Sequence, residues 1–252
     1  MAGPPLVQSL VRAFDLLELM ADSGGDAGLS ELSDASGIPL GTIHRLMRTL
    51  VQRGYARQER SRRYALGPRL IRLGETASRL LGLWARPYLT QLVDLTGETA
   101  NLALREGDEV VYVAQVPSKH SMRMFTEVGR RVPLHTSGVG KAILAQLPSE
   151  EVDAILSRSD LPALTDRTIT QAGVLHEQLE IVRDKGYAAD VGEYEVGVSC
   201  VAVPLPGAFA LAALSVSGPA ARLTPETRQH VAPLMQRVAR ELSKALEDED
   251  AD

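Results

Sequence analysis

Leu40-Gly41-Thr42-Ile43-His44-Arg45-Leu46-Met47-Arg48-Thr49-Leu50-Val51-Gln52-Arg53 is the stretch on which the reading of this chain turns. Ile43, Leu46, Met47 and Leu50 fall at i, i+3, i+4 and i+7, which predicts a helix with one buried stripe. The opposite face then presents Gly41, Thr42, His44, Arg45, Arg48, Thr49 and Gln52. Short residues let such a face approach a duplex, hydroxyls and arginines meet phosphates, and an arginine fork bridges O6 and N7 of a guanine. Just upstream, Ser30 is placed to cap a short helix carrying Leu32 and Ala35, Gly37 ends it, and Pro39 sits at the start of the next. Two helices joined by a short glycine-containing turn make a helix-turn-helix.

Upstream again, Val7, Leu10, Val11, Phe14 and Leu17 predict a first amphipathic helix that runs to about Met20 and stops at Asp22-Ser23-Gly24-Gly25. Downstream, Tyr55-Ala56-Arg57-Gln58 and Arg63-Tyr64-Ala65-Leu66 read as short strands around Glu59-Arg60-Ser61-Arg62, a winged hairpin with an arginine-rich tip. Charge supports this placement. The whole chain carries −5, yet from Leu40 to Arg72 nine arginines face one acid, Glu59, giving +8 there and −13 elsewhere. A basic segment within an acidic protein is a footprint for a polyanion. The residues expected on DNA are therefore Ser30, Thr42, His44, Arg45, Arg48, Arg57, Arg60, Arg62 and Arg63.

At 252 residues, 44% apolar and 23% charged, the chain has room for this module and a larger globular unit. One cysteine, Cys200, rules out an internal disulfide framework and a cysteine-based zinc site, and the five histidines lack metal-ligand spacing. No cofactor or metal is expected. The N-terminus shows no signal-peptide pattern, and the uncharged run from Cys200 to Gly218 is broken by Pro204, Pro206 and Gly207, which favours strand, turn and strand over a membrane span. A cytoplasmic protein is expected.

Residues 68–86 read as a connecting helix ended by Arg86-Pro87, with Tyr88 to Leu95 as a further helix closed by Gly97. Beyond it come a hairpin, 100–105 with 109–116, and a third strand, 121–128. Helices follow at 138–147, 149–156 and 171–185, strands at 187–190, 199–205 and 209–217, and a last helix starts at Thr224-Pro225-Glu226. This is an α+β pattern with a mostly antiparallel sheet. Ser137-Gly138-Val139-Gly140-Lys141 fails as a phosphate loop, since His135 holds the first glycine position and Ala142 follows the lysine. Small residues opening a helix still expose amides to a small anion, although close packing explains the glycines equally well. Ser215 and Ser217 share one face of their strand. His135 and Lys141 are expected to supply a turn hydrogen bond and a surface charge, and Glu193 and Glu195 to lie in a solvated loop.

Four blocks of this sequence in order resemble the IclR family of bacterial transcriptional regulators. They are the N-terminal run from Gln8-Ser9-Leu10 through Thr42-Ile43-His44-Arg45-Leu46 to Tyr64-Ala65-Leu66-Gly67, then Leu134 to Ala142, Gly197 to Pro204, and Ala213 to Pro219. The resemblance implies a winged helix-turn-helix at 1–67 and a GAF-like effector-binding and oligomerisation domain at 87–252, joined by the helix at 68–86. It implies a sequence-specific regulator, with repression favoured, that works as a homodimer or homotetramer on a palindromic operator. It also implies that Gly138, Val139, Asp190, Cys200, Ser215 and Ser217 match positions that contact a small acidic effector, with glyoxylate or a ureide as the class most resembled. Two alternatives stay open on the residues alone: an architectural DNA binder without effector, and an enzyme with an accessory helix-turn-helix.

Overall fold

The computed structural model describes residues 6–124, 127–207 and 211–250. It divides into two units, Met1–Ala77 and Ser78–Asp252. The first contains α1 (Gln8–Asp22), β1 (Asp26–Ala27), α2 (Leu29–Ser36), α3 (Leu40–Arg53), β2 (Ala56–Gln58) and β3 (Tyr64–Leu66). Its core is Leu16, Met20, Leu32, Ile38, Ile43, Met47 and the hairpin's Ala56 and Tyr64. Two of the four residues read as the α3 stripe, Ile43 and Met47, are fully enclosed, while Leu46 and Leu50 are partly buried against the same core.

Three features of this unit differ from the sequence reading. Helix α2 starts two residues early, with Gly28 at its cap and the Gly28 amide donating to Glu31 Oε2 at 3.0 Å; Ser30 sits exposed in the first turn instead of capping it. Asp26 and Ala27 form a third strand against β3, in register with Ala65 and Tyr64, too short for any alternation to show. On α1 the enclosed side chains are Leu16, Leu17 and Met20, whereas Val7, Leu10 and Phe14 remain mostly exposed.

Helix α4 runs unbroken from Arg69 to Thr96, through Pro87, instead of ending there. Proline removes one backbone hydrogen bond but does not stop a helix held by packing on both sides. Here Leu81 and Ala85 before it, and Leu89, Leu92 and Val93 after it, are buried in one core.

The second unit is built on a six-stranded antiparallel sheet: β4 (Thr99–Glu106), β5 (Glu109–Val116), β6 (Arg131–Pro133), β7 (Ala188–Val191), β8 (Val198–Leu205) and β9 (Ala212–Pro219), in the order β6-β5-β4-β9-β8-β7. Alternation sends Val201 and Val203 to a core shared with α4 and α8 (Pro225–Asp250), and Cys200 and Ala202 to a core on the other face. That other face is covered by α5 (Gly138–Leu144), α6 (Ser149–Leu156) and α7 (Ala172–Lys185). Thr224 caps α8 as the sequence indicated, accepting from the Thr227 amide at 3.3 Å. The strand expected at 121–128 is not formed at its described residues, 121–124 and 127–128, whereas Phe125 and Thr126 lie outside the described residues. The partner of β5 is instead β6, which starts only after the turn at Gly129. Strand β9 begins at Ala212, and Phe209 of the expected strand lies outside the described residues.

Helix α5 starts against the backbone that precedes it. A methyl group on Gly140 would stand 1.9 Å from the Leu134 carbonyl oxygen. Gly140→Ala is therefore expected to destabilise this unit by roughly 3 kcal/mol or more in chemical denaturation, in the range of severe core overpacking. Gly173→Ala, in the first turn of α7 with open space around it, should be neutral or stabilise by about 0.5–1 kcal/mol. Equal effects at the two positions would contradict the packing described.

Candidate functional site

In the first unit, the face of α3 opposite Ile43 and Met47 is open. Gly41, His44, Arg45, Arg48, Thr49 and Gln52 are exposed and Thr42 is partly so. The Thr49 hydroxyl is spent on the Arg45 carbonyl at 3.1 Å. Among the described residues, Arg45, Arg48, Arg60 and Arg62 form no salt bridge, so four guanidiniums on the helix and hairpin are available to a polyanion. Arg57 makes an exposed contact with Glu59 at 3.3 Å. Arg62 adopts a left-handed backbone, φ 65°, at the hairpin tip, where the Glu59 amide donates to the Arg63 carbonyl at 2.9 Å.

Arg63 stands apart from this set. Its Nε donates to Asp26 Oδ2 at 2.5 Å, and Nη1 and Nη2 reach the two Glu31 oxygens at 2.8 and 2.9 Å. The fork thus ties β3 to β1 and to the first turn of α2, and the guanidinium holds the Glu31 carboxyl down at about 2. Arg63 is committed within the unit, not presented outward as the sequence reading had it.

In the second unit, the residues matched by resemblance converge where α5 meets the sheet. Asp190 pairs with Cys200 across β7 and β8, and Cys200 with Ser217 across β8 and β9. A Cβ on Gly138 would lie 3.1 Å from Cys200 Sγ and 3.6 Å from the Asp190 amide nitrogen. Ser215 is fully buried and accepts from Asn101 Nδ2 at 3.4 Å. The Val139 side chain is fully buried in the core on which Cys200 also packs.

A small cavity of about 30 Å³ opens among Ser137, Asp190, Cys200 and Ser217. Its remaining wall includes Tyr112, Arg130, Tyr194 and Glu195, which the sequence reading did not single out as ligand contacts. Arg130 lies over the Tyr194 ring, 5.2 Å from its centroid. Burial raises the Asp190 carboxyl to about 6, partly opposed by the Glu193 amide, which donates to it at 2.7 Å. Burial also pushes the Cys200 thiol up to about 12, so it is an unreactive small donor held near Ser215 and Ser217. The Tyr112 phenol is likewise raised by burial.

Two expectations fail here. Lys141 is not a surface charge: it is 1% exposed, with Nζ 2.6 Å from both Glu193 oxygens. Glu193 is consequently not solvated, whereas Glu195 is exposed. Alternating or helical spacing carries no sign of this pair, because its members lie 52 residues apart. His135 is hydrogen-bonded, but across 27 residues to the Pro162 carbonyl, Nε2 at 3.1 Å, and not within a turn as expected; its burial lowers its pKa.

Among the described residues no three metal-ligating side chains gather, and no helix is long and apolar enough to cross a membrane.

A winged helix-turn-helix with an arginine-bearing open face, in one chain with an α+β unit holding a polar buried pocket, defines the class of transcriptional regulators. The bacterial IclR helix-turn-helix domain matches residues 9–60, and the C-terminal domain of bacterial transcriptional regulators of the IclR type matches 78–244. The chain is 36% identical over 246 residues to the transcriptional repressor IclR of Escherichia coli K12, covering 95% of this chain and 90% of that protein. It is 36% identical to the regulator BhcR of Paracoccus denitrificans, covering 94% and 86%. The crystal structure of Thermotoga maritima IclR superposes with a TM-score of 0.64 at 31% identity, covering 96% of this chain and 99% of that one. The chain belongs to the IclR family.

The Arg63 network yields a test with a counterintuitive sign. Glu31→Gln removes a negative charge from the DNA-binding unit, which simple electrostatics says should strengthen binding. Because it also releases the wing, DNA affinity measured by fluorescence anisotropy is expected to fall. Tighter binding would show that the network does not position the wing.

Proposed function

We propose that this protein is a transcriptional repressor that binds a palindromic operator as a dimer or tetramer and is controlled by a small carboxylic acid. The observation that carries the DNA half is the open α3 face with unpaired Arg45 and Arg48 beside a wing bearing Arg60 and Arg62. Thr42, His44, Arg45 and Arg48 would enter the major groove, and Arg57, Arg60 and Arg62 the backbone, with Ser30 in the first turn of α2 beside them. Exposed Leu10, Phe14 and Leu73 line a groove of about 500 Å³ in the same unit, an apolar surface suited to a second copy. Pairing there would match a two-fold reader to a two-fold site.

For the ligand, the supporting observation is the convergence of Ser137, Cys200, Ser217 and a largely buried Asp190 with a raised pKa on one cavity. Hydroxyl and thiol groups donate to a carboxylate, and a protonated Asp190 adds a donor where an ionised one would repel. Among the relatives is the acetate operon repressor of Salmonella typhimurium, 35% identical, whose name ties it to a two-carbon acid. Glyoxylate and ureido acids are the first candidates. The sign of control requires that the acid bind the DNA-competent and incompetent states unequally.

Arg45→Ala and Arg48→Ala are each expected to weaken binding to the gene's own upstream DNA, about tenfold where a bidentate base contact is lost. Wild type should footprint two half-sites about one helical turn apart. Wild-type affinity in both variants would overturn the assignment of the α3 face.

Asp190 makes acid binding pH-dependent. Its carboxyl is protonated below about 6 and then helps a carboxylate ligand, so affinity should be highest below pH 6 and fall by up to about tenfold per pH unit above it. Asp190→Asn should flatten that profile in calorimetric titrations. If no small acid raises the melting temperature at any pH, the protein is an architectural DNA binder and the ligand half fails.

A further inference from the structure

The cavity at the sheet end of α5 holds about 30 Å³, room for about one water. An organic acid needs more, so part of the wall has to move before one can enter. Two walls are fixed: the strands belong to a continuous ladder, and α5 starts in contact with Cys200 and Leu134. The remaining wall comes from Met124 and Arg130, ahead of β6, and from the loop 192–197 between β7 and β8, which brings Tyr194 and Glu195 to the cavity. The loop's ends are Gly192 and Gly197, with φ of +77° and +82°, backbone that turns freely only without a side chain. Tyr194 packs against the core beneath Arg130, but the stretch after it is open, with Glu195 exposed and Val196 81% exposed.

Glu193 is the main fastening of this loop, beside Thr165 Oγ1, which donates to the Gly192 carbonyl at 2.6 Å, and the Ala220 amide, which donates to the Gly197 carbonyl at 2.8 Å. All three kinds of polar group on Glu193 are engaged inward: the carboxylate with Lys141 Nζ, the amide with Asp190 Oδ1 at 2.7 Å, and the carbonyl with Thr168 Oγ1 at 2.6 Å. Lys141 is the largest fully buried side chain among the described residues, and the only salt bridge it makes there is to Glu193. A buried ion pair of this kind adds little net stability but strongly disfavours any arrangement that separates its members. That is the behaviour of a latch.

We propose that loop 192–197 is a lid over the pocket and that the Lys141–Glu193 pair is the latch that sets how often it opens. Lys141 and Glu193 are thus positioning residues, because they act through the lid and through the orientation of Asp190. That the lid admits an organic acid rests on the reading given under Proposed function; that it opens does not.

Cys200 provides the test, being the chain's single cysteine, 5% exposed and on the cavity wall. Its modification by methyl methanethiosulfonate is to be timed in wild type and in Lys141→Met/Glu193→Leu, which removes both charges without stranding either. Wild type is expected to react slowly, with a rate nearly independent of low urea, the signature of local opening. The double variant should react about tenfold faster or more. Leu179→Ala, which destabilises the same core without touching the latch, controls for general loosening. A double variant no faster than wild type, or no faster than Leu179→Ala, overturns the latch, and a wild-type rate that follows global unfolding overturns the lid.

Should the double variant not fold, hydrogen exchange of wild type decides: the amides of 193–197 should exchange together at lower protection than α5 and β8, and equal protection overturns the proposal. Neither readout uses an acid ligand. Failure to find an effector would therefore sink the pocket reading while leaving the lid standing, and the reverse also holds.

Discussion

Helix α5 begins closer to its surroundings than any side chain would permit, and much of the effector unit follows from that contact. Glycine at 138 lets the helix start against Cys200, and glycine at 140 lets it pass the Leu134 carbonyl. The approach leaves a cavity in which hydroxyls, a thiol and a carboxyl stand beside Tyr112 and Tyr194. It also carries Lys141, one residue further on, into a site where only 1% of it meets solvent. A buried ammonium needs a partner, and the loop after β7 supplies one.

The polar groups so enclosed are accounted for. Among the described residues no buried side-chain nitrogen or oxygen lacks a hydrogen-bond partner. A satisfied buried network is rigid, whereas a half-satisfied one is costly, so changes in it tend to be all or none. Asp190 sits at the centre, receiving the Glu193 amide and paired across the strands with Cys200. Its raised pKa comes from the desolvation that the closed approach of α5 and the strands imposes.

The DNA-binding half was legible because its information is local. The i, i+3, i+4, i+7 stripe of α3, the glycine that ends α2 and the run of arginines each lie within a few residues. In the second half the helices and most strands could be read from spacing and caps, but the strand expected at 121–128 was misplaced past Gly129. Periodicity could not place a three-residue strand. Long-range electrostatics was invisible in both halves: Arg63 with Asp26 and Glu31, and Lys141 with Glu193, join residues 32 to 52 positions apart. An arginine in a basic run and a lysine near a helix start look alike whether they face water or a carboxylate. The set of Gly138, Asp190, Cys200, Ser215 and Ser217 could be named in advance only through resemblance, since four separate segments contribute to it.

The Arg63 fork bears on how such a reader can change over evolutionary time. It joins the start of β3 to β1 and to the first turn of α2 through Arg63, Asp26 and Glu31, none of which lies on α3. The frame that holds the wing is therefore encoded separately from Arg45 and Arg48, the side chains available to meet a sequence. Under the proposed assignment of the α3 face, exchanging those two would alter which operator is preferred without retuning the scaffold. Operator preference can then drift by single substitutions while the architecture is inherited intact.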